Sequence, residues 1–247
     1  MDKNQTGKFF VNIPGVKGLY SYRMHGNMKF TEYKEGEANR EFFRDWFLNQ
    51  DSKMVLANVS HGSSVTTICS SNFDHYEQVI ETDALVTRDI PNLYLCMTFA
   101  DCPPVFLFDP EKRVMAAVHG GWKPVMNNII YNTFNKMISL GAKADRMRAA
   151  ILPGINQECY QFGSREARKI FRLYKPFVKY FKKEDKCHVD LKGIIKFQLT
   201  EELGIPQENL EIFGECTCCQ NDKFFSYRGE KMNPEFIRAG IAMLGLN

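Results

Sequence analysis

The stretch of residues 93–130 constrains the fold of this chain more than any other part of its sequence. It contains three short apolar runs separated by Asp, Pro and Gly residues: Leu93 to Phe99, Val105 to Phe108 and Val114 to Val118. Short apolar runs bounded in this way are typical of buried strands. Cys102 follows the first run and His119 follows the third. Both side chains are therefore predicted to lie at strand ends, where a fold can direct them into a cleft.

A sharp turn and a helix are predicted directly after the third strand. Gly120 and Gly121 let the backbone turn tightly and approach a ligand closely. Pro124 suits the first helical position, apolar residues recur at helical spacing as far as Ile138, and Gly141 suits the position after the helix end. The N-terminus of such a helix, next to a histidine and a cysteine, would attract an anion.

The rest of the sequence contains both strand and helix patterns, which predicts a single α/β domain over residues 1–247. Two short strands or a hairpin are expected within residues 1–30. Further strands are predicted at 53–58, 64–69, 83–87, 148–152 and 209–213. Helices are predicted at 35–50, at 165–175 with Ser164 as the cap, after Asp190 with Gly204 behind the helix, and at 234–245.

Composition places the chain among ordinary globular proteins and argues against two classes of partner. A hydrophobic content of 44% and a charged content of 25% over 247 residues suffice for a substantial core. The net charge of +3 is too small to indicate nucleic-acid binding, and acids interrupt the lysine-rich run at 182–186, which predicts a solvated turn. No apolar stretch is long enough to predict a membrane span. Eight cysteines without an apolar N-terminal signal predict a reducing compartment, the cytoplasm.

Two histidines and one cysteine stand out among the groups that can do chemistry. His61 and His119 each end an apolar run and precede a glycine, which leaves the imidazole reachable. Cys102 lies between Asp101 and two prolines that hold it at a rigid corner. The other histidines fit loop or surface roles better: His25, His75 and His188.

These side chains admit more than one chemistry. Two imidazoles and a thiolate form a suitable zinc set with a fourth position open for water or substrate. Their spacing is not that of a compact zinc finger, so a buried Cys102 with hydrogen-bonded histidines is the alternative without a metal. In a third interpretation, Cys102 is a nucleophile and His119 is its base.

A second group of thiols follows later in the chain: Cys216, Cys218 and Cys219. Together with Cys187 or Cys159 they would make a four-thiolate zinc site, but adjacent cysteines fit common finger spacing poorly, which favours buried free thiols. The H-x-E and P-C-x-x-C signature of zinc deaminases is absent, and so are the glycine-rich nucleotide loops.

The motifs, taken in order, resemble those of the YfiH-like proteins. The segments that carry the resemblance most strongly are His61-Gly62, Thr98 to Pro104 and Ala117 to Trp122. Further matching segments extend it over nearly the whole chain: Gly15 to Arg23, Gly26, Asn39-Arg40, Asp83 to Thr87, Pro153 to Ile155, Cys159-Tyr160, Gly163, Asp190-Leu191, Cys216-Thr217 and Phe224 to Arg228. Members of this family were named laccase-like polyphenol oxidases and are now regarded as purine nucleoside phosphorylases with adenosine deaminase activity.

The resemblance implies a mixed α/β sandwich and a catalytic zinc held by His61, Cys102 and His119. It also implies phosphorolysis of adenosine, inosine, guanosine and methylthioadenosine, together with hydrolytic deamination of adenosine. The partners would thus be purine nucleosides and phosphate, bound by a monomer or a small homo-oligomer.

Further roles are assigned as hypotheses within this resemblance. Asp101 is expected to orient a zinc ligand or to act as a general acid or base, and Arg228, with Tyr227, to close the site over the base or phosphate. The positive charge that binds phosphate is expected from Arg23, Arg40 or Lys123. This sequence has Lys123-Pro124 where the family has Arg-Gly, and a lysine lacks the planar fork that grips phosphate bidentately. It also has Val59-Ser60 where the family has Gln-Val.

The same residues are compatible with two rival functions. Copper-dependent phenol oxidation by mononuclear plus trinuclear copper sites needs more imidazoles than the five histidines supply, although a single copper ion fits the same pocket. The other rival is a zinc-stabilised interaction module, which would unfold when its metal is removed.

Overall fold

A computed structural model of the chain describes residues 5–29, 34–49, 51–71, 78–181, 186–233 and 237–247. The described strands form two six-stranded mixed sheets and one three-stranded sheet. The strands are β1 (Gly7–Phe9), β2 (Val16–Tyr20), β3 (Lys53–Asn58), β4 (Val65–Ile68), β5 (Gln78–Ile80), β6 (Ala84–Arg88), β7 (Leu93–Phe99), β8 (Pro104–Asp109), β9 (Val114–His119), β10 (Arg148–Ile151), β11 (Gln161–Gly163), β12 (Val178–Phe181), β13 (Lys186–Val189), β14 (Leu210–Ile212) and β15 (Gly240–Leu246). The α-helices are α1 (Lys34–Phe47), α2 (Trp122–Met126), α3 (Ile129–Ser139), α4 (Ser164–Tyr174) and α5 (Leu191–Phe197).

The first sheet has the order β1-β2-β15-β7-β3-β5, and the second has the order β14-β10-β8-β9-β6-β4. Strands from the two ends of the chain meet in the first sheet, where β15 is antiparallel to both β2 and β7. The remaining strands form a small antiparallel sheet in the order β11-β13-β12.

The two large sheets pack face to face, and strand alternation decides which side chains lie between them. On β8, Phe106 and Phe108 join the core between the sheets, whereas Val105 and Leu107 join the core beneath the helices. On β9, Met115 faces the inter-sheet core and its neighbours face the helices. Because these strands are buried on both faces, they read as continuous apolar runs.

Helices cover the outer faces of this sandwich. Residues of α2, α3, α4 and α5 pack on the second sheet, and Phe43 of α1 packs on the first sheet against Tyr94 and Cys96. The result is the mixed α/β sandwich that the resemblance to the YfiH-like proteins implies. None of the described helices has the length and apolarity to cross a lipid bilayer.

Most predicted elements occur within one or two residues of their predicted bounds. The Asp190 cap is confirmed, because its carboxylate accepts a hydrogen bond from the backbone N–H of Gly193 at 2.8 Å. Gly141 follows α3 with a φ of +95°, as a C-terminal glycine requires. The helix at 164–174 begins one residue earlier than predicted, with Gly163 rather than Ser164 as its N-cap.

Two predicted helices are wrong in part. A helix was predicted at 234–245, of which residues 234–236 lie outside the described residues. Residues 240–246 form β15 instead, because this apolar run pairs with β2 and β7 in the first sheet and is buried on both faces. The single helix predicted after Gly121 is divided into α2 and α3, because Asn128 adopts a left-handed φ of +67°. Strands β5, β11, β12 and β13 were not predicted. His75 and residues 182–185 of the predicted solvated turn lie outside the described residues.

Candidate functional site

The site is built at the edge of the second sheet where β6 and β8 begin and β9 ends. In the register of this sheet, Ala84 lies opposite Val118 and Pro104 lies opposite His119. Asp83, which precedes β6, and the corner that follows β7 are therefore both adjacent to His119. The backbone N–H of His119 donates to the carbonyl of Asp83 at 2.8 Å, which closes this edge.

The Asp83 carboxylate organises the first half of the site. It is fully buried and accepts from His119 Nδ1 at 2.8 Å, from Ser60 Oγ at 2.9 Å and from the backbone N–H groups of His61 at 3.0 Å and Gly62 at 2.7 Å. Burial alone would raise the pKa of Asp83, but these hydrogen bonds lower it to about 2. The carboxylate thus fixes the His119 ring and the loop that carries His61.

The two imidazoles lie against each other. The ring centroids of His61 and His119 are 4.9 Å apart, with the planes at 84°. His119 is buried and His61 is exposed. The His61 backbone has a φ of +62°, a left-handed conformation that is uncommon outside glycine, and its hydrogen bond to Asp83 holds it there.

Cys102 faces the opposite nitrogen of His119, and Gly121 leaves room for that contact. A Cβ atom on Gly121 would lie 2.9 Å from His119 Nε2 and 3.2 Å from Cys102 Sγ. Burial would lower the pKa of His119, but the Cys102 sulfur and the Asp83 carboxylate outweigh it and raise the pKa to about 9. The His61 pKa is lowered by desolvation, by His119, and by two lysines, Lys123 and Lys29.

The donor set fits a soft or borderline divalent metal ion. Asp83 takes Nδ1 of His119, which leaves Nε2 for a ligand, the arrangement of a carboxylate–histidine–metal triad. The set of His61, Cys102 and His119 as zinc ligands stays a prediction. The same atoms also form a carboxylate–imidazole–thiol series of the kind that activates a nucleophile.

Two lysines provide positive charge beside His61. Lys123 is exposed at the start of α2, and Lys29 is partly buried at the end of the segment before α1. Desolvation lowers the pKa of Lys29. Because α2 is only one turn long and Pro124 has no N–H, these side chains, more than a helix N-terminus, would attract an anion.

An aromatic wall, defined here as Trp122, Tyr160 and Phe162, extends from the metal-ligand candidates. Phe162 packs edge-to-face on Trp122 at 5.6 Å and on Tyr160 at 4.6 Å between ring centroids. The Arg228 guanidinium lies over Tyr160 and Phe162 at 5.6 and 5.7 Å, and also donates to the carbonyl of Gln161. The Tyr160 pKa is raised by desolvation and by the nearby Cys102 sulfur.

Asp101 is buried, and its carboxylate accepts hydrogen bonds from the segments that contain Thr217 and Arg228. Its carboxylate accepts from Thr217 Oγ1 at 2.8 Å, from Ser226 Oγ at 2.6 Å and from the backbone N–H of Arg228 at 2.7 Å. Its φ of +97° is unusual for a residue with a side chain and fixes the corner before Cys102. These contacts tie the loop to the corner, and the predicted acid–base role of Asp101 stays a prediction.

Arg23 and Arg40, the two arginines predicted to bind phosphate, contact backbone carbonyls or a carboxylate. Arg23 pairs with Glu230 through both carboxylate oxygens, at 2.8 and 3.0 Å, and donates to the carbonyl of Asn221. Arg40 donates to the carbonyl of Met28 at 2.9 Å and thereby supports the segment that carries Lys29. Their predicted role toward phosphate is not tested by these contacts.

Two residues of the site were missed from the sequence, Asp83 and Lys29. Asp83 starts a predicted strand, and a carboxylate immediately before a buried apolar run is a signal from which its role could have been predicted. Lys29 offered no such signal, because it approaches His61 only through the tertiary fold.

Comparisons with known proteins identify a family and several relatives of this chain. The sequence model of a protein family described as "Multi-copper polyphenol oxidoreductase laccase" matches residues 17–239. A purine nucleoside phosphorylase of Clostridium acetobutylicum is 32% identical over 216 residues, which cover 85% of this chain and 85% of that protein. A Deinococcus radiodurans purine nucleoside phosphorylase is 37% identical over 148 residues, 60% of this chain and 56% of the relative. The chain thus matches little more than half the length of that second relative.

A relative from an unknown prokaryotic organism, named adenosine deaminase RL5, is 28% identical over 196 residues, 76% of this chain and 74% of that protein. Among solved structures, the hypothetical protein YfiH of Bacillus licheniformis has the same fold. The TM-score is 0.82 at 24% identity, with 94% of this chain and 93% of that chain covered.

Proposed function

The chain belongs to the family described as multi-copper polyphenol oxidoreductase laccase, with the YfiH-like fold, and we propose that it is a zinc-dependent purine nucleoside phosphorylase that also deaminates adenosine. The substrates expected are adenosine, inosine, guanosine and methylthioadenosine, with phosphate as the second substrate. Support comes from relatives named purine nucleoside phosphorylase and from one named adenosine deaminase.

The observation that carries the proposal is the series Asp83–His119–Cys102 with His61 beside it. The hydrogen bond of 2.8 Å between His119 Nδ1 and Asp83 leaves Nε2 directed to the Cys102 side, so the residues that would hold zinc are His61, Cys102 and His119. Zinc in such a set, when bound, acts as a Lewis acid and lowers the pKa of a bound water.

The purine base would stack on the aromatic wall. Trp122 is partly buried, follows Gly121 directly and extends the row formed by Phe162 and Tyr160. Flat, apolar faces next to a guanidinium suit a heteroaromatic ring, because stacking and cation–π attraction both act on it. Arg228, anchored by its backbone to Asp101, would hold this side of the site in place.

Phosphate would bind on the side of His61. Lys123 and Lys29 both lower the pKa of His61, so their positive charges act at that point of the site. Two lysines attract an anion as point charges, without the bidentate geometry of an arginine. Arg23 and Arg40 would act through the loops that they support.

A direct test is phosphate-dependent cleavage of inosine by the purified chain. Wild type and Cys102→Ala are compared, with Cys69→Ala as the matched control, because Cys69 is an exposed thiol distinct from the proposed ligands. Wild type and the Cys69→Ala control are expected to cleave inosine at the same rate. The rate of Cys102→Ala is expected to be at least about 100-fold lower. Equal rates in all three proteins would refute the assignment. A panel of nucleosides with and without phosphate separates phosphorolysis from deamination.

Copper-dependent phenol oxidation is the second candidate, because the family description names it. The chain has five histidines, too few for mononuclear plus trinuclear copper sites, so a single copper ion in the His61–Cys102–His119 set is what this candidate requires. Metal analysis of protein produced without added copper distinguishes the candidates. Zinc with nucleoside cleavage supports the first, and copper with phenol oxidation supports the second.

We place the activity in a reducing compartment, the cytoplasm, since a chain with eight cysteines and no disulfide among the described residues fits a compartment that keeps thiols reduced. The partners proposed are nucleosides and phosphate rather than nucleic acid, in keeping with a net charge of +3, and the assembly is a monomer or a small homo-oligomer. A zinc-stabilised interaction module would instead unfold on chelation without having any nucleoside activity to lose.

A further inference from the structure

Three thiols from two distant loops meet at a second place in the molecule, and this group is called the thiol cluster. Its members are Cys159, which precedes β11, and Cys216 and Cys219, which follow β14. Their sulfur atoms all lie within 4.8 Å of one another, and the sulfurs of Cys159 and Cys219 are 3.2 Å apart. Nothing in the proposed phosphorolysis uses these groups.

The separation of the sulfurs is that of ligands around an ion rather than that of a disulfide. Sulfurs bonded to one zinc ion at about 2.3 Å in a tetrahedral set lie roughly 3.8 Å apart, whereas a disulfide needs about 2.05 Å. The observed range, from 3.2 Å to at most 4.8 Å, includes the first value. All three side chains are free thiols.

The surroundings of Cys216 stabilise a negatively charged sulfur. The backbone N–H of Asn156 donates to Cys216 Sγ at 3.3 Å. Burial alone would raise the pKa of Cys216, but this bond and further N–H groups of the turn at Cys218 and Cys219 lower it. The Lys192 ammonium, held by the carbonyls of Phe213 and Glu215, adds a positive charge close to the same thiol. Backbone N–H groups directed at sulfur are a common feature of metal–thiolate sites.

The cluster also has an entry path and a fourth thiol nearby. Cys216 is buried, Cys159 is partly buried and Cys219 is exposed, so an ion can enter from the side of Cys219. Cys218 lies close enough to Cys159 to raise the pKa of that thiol.

We propose that Cys159, Cys216 and Cys219 form a second metal site, specific for a soft, thiophilic d10 cation such as zinc. Each thiol releases its proton to solvent as its sulfur binds the cation, and no electron transfer is involved. Thiolates select such ions over the hard cations magnesium and calcium. The site does not depend on the proposed reaction and is separate from the His61–Cys102–His119 set.

The consequence of occupancy is structural. Gly154 and Cys216 form a β-bridge, and Thr217, next to Cys216, donates to both the backbone of the 152–160 segment and the Asp101 carboxylate. A cation held by Cys159 and Cys216 would clip together the loops that carry Tyr160 and Arg228. The ion would thereby stabilise the aromatic wall and the corner before Cys102.

The test uses cadmium as the probe, in the full chain kept reduced with a phosphine. Cys102→Ala removes the thiolate of the proposed catalytic set, so sulfur-to-cadmium ultraviolet absorption must then arise elsewhere. Three proteins are titrated: Cys102→Ala, Cys102→Ala with Cys219→Ser, and Cys102→Ala with Cys69→Ser as the matched control. Folding of each is checked by circular dichroism.

The expected result is one tightly bound cadmium per chain with strong thiolate absorption in the first and third proteins, and an affinity at least about 10-fold weaker in the second. Zinc is also expected to raise the thermal midpoint of the Cys102→Ala protein but not of the Cys219→Ser derivative. The proposed site would be refuted if the Cys102→Ala protein showed no sulfur-to-cadmium absorption. It would also be refuted if Cys219→Ser left this absorption unchanged. Because every protein in this test lacks Cys102, a failed phosphorylase assignment leaves the result unaffected. A Cys159–Cys219 disulfide that persists in the reductant would overturn it as well.

Discussion

The imidazole of His119 and the carboxylate of Asp83 form a buried hydrogen bond of 2.8 Å between Nδ1 and Oδ1. The same carboxylate accepts hydrogen bonds from the backbone N–H groups of His61 and Gly62, so one buried charge positions both histidines of the site. Sheet register makes this possible, because the pairing of Ala84 with Val118 brings the residues that flank them together.

Replacement of Asp83 by Asn is expected to weaken zinc binding by about 10- to 100-fold, because the carboxamide carries no charge and can place only one oxygen among four donors. Zinc affinity measured by competition with a chelating dye gives the result. Asp89→Asn serves as the control, since Asp89 pairs with Arg113 at the surface. An unchanged zinc affinity in Asp83→Asn would contradict the role given to this carboxylate.

Lys123→Ala is expected to raise the KM for phosphate about 10-fold while the KM for inosine changes little, because an exposed cation beside His61 attracts the anion and not the base. The effect should weaken as salt is added, since an exposed charge is screened. Steady-state kinetics at varied phosphate measure it. Lys136→Ala on α3 is the matched control, and the interpretation fails if both variants give the same phosphate KM.

Gly121→Ala is expected to abolish most zinc binding and nucleoside cleavage. The added Cβ would lie 2.9 Å from His119 Nε2 and 3.2 Å from Cys102 Sγ, where it takes the space between the two ligands. Gly214→Ala is the control, because a Cβ there meets nothing within 4 Å. Metal content and activity are compared in the two variants. Full zinc occupancy in Gly121→Ala would contradict the position of Gly121 between the two proposed ligands.

Asp109 is expected to contribute to acid stability. Burial would raise the pKa of this fully buried carboxyl, but the backbone N–H groups of Lys112 and Lys143 and the Arg146 guanidinium outweigh burial and hold the pKa below its usual value. A depressed folded pKa adds stability above the ordinary Asp value of about 3.9, and this stability is lost as the pH falls through the folded value.

Asp109→Asn should therefore lower the free energy of unfolding by about 1–3 kcal/mol at neutral pH, with a smaller difference from wild type at strongly acidic pH. Urea titrations over a pH series measure the difference. Asp145→Asn, at an exposed position nearby, should keep the wild-type acid dependence. A difference that grows on acidification would show that the sign is wrong.

Local patterns predicted most of the secondary structure for identifiable reasons. Apolar runs bounded by Pro, Asp and Gly became β7, β8 and β9 because each is too short for a helix and is buried on both faces. Asp190 became a cap because its short carboxylate reaches the backbone N–H of Gly193 without help from the rest of the fold. Such elements depend on neighbours in the sequence.

The helix prediction for the C-terminal segment is wrong because contacts with distant strands decide its structure. An apolar run such as Gly240–Leu246 fits a buried helix or a buried strand equally well. It is a strand because β2 and β7 each leave an edge that it pairs with, and Gly245 admits the Tyr94 ring, which a Cβ would approach to 2.5 Å.

The sequence by itself determined the strand–turn–helix core, the α/β class and the His61, Cys102 and His119 candidates, because apolar periodicity and turn residues are properties of neighbouring positions. The sandwich arrangement was implied only by the resemblance to the YfiH-like family. Only the tertiary structure brought Asp83 to His119, Lys29 to His61 and Cys159 to Cys219. Those meetings depend on sheet register and loop packing between residues far apart in the chain, which no local pattern encodes.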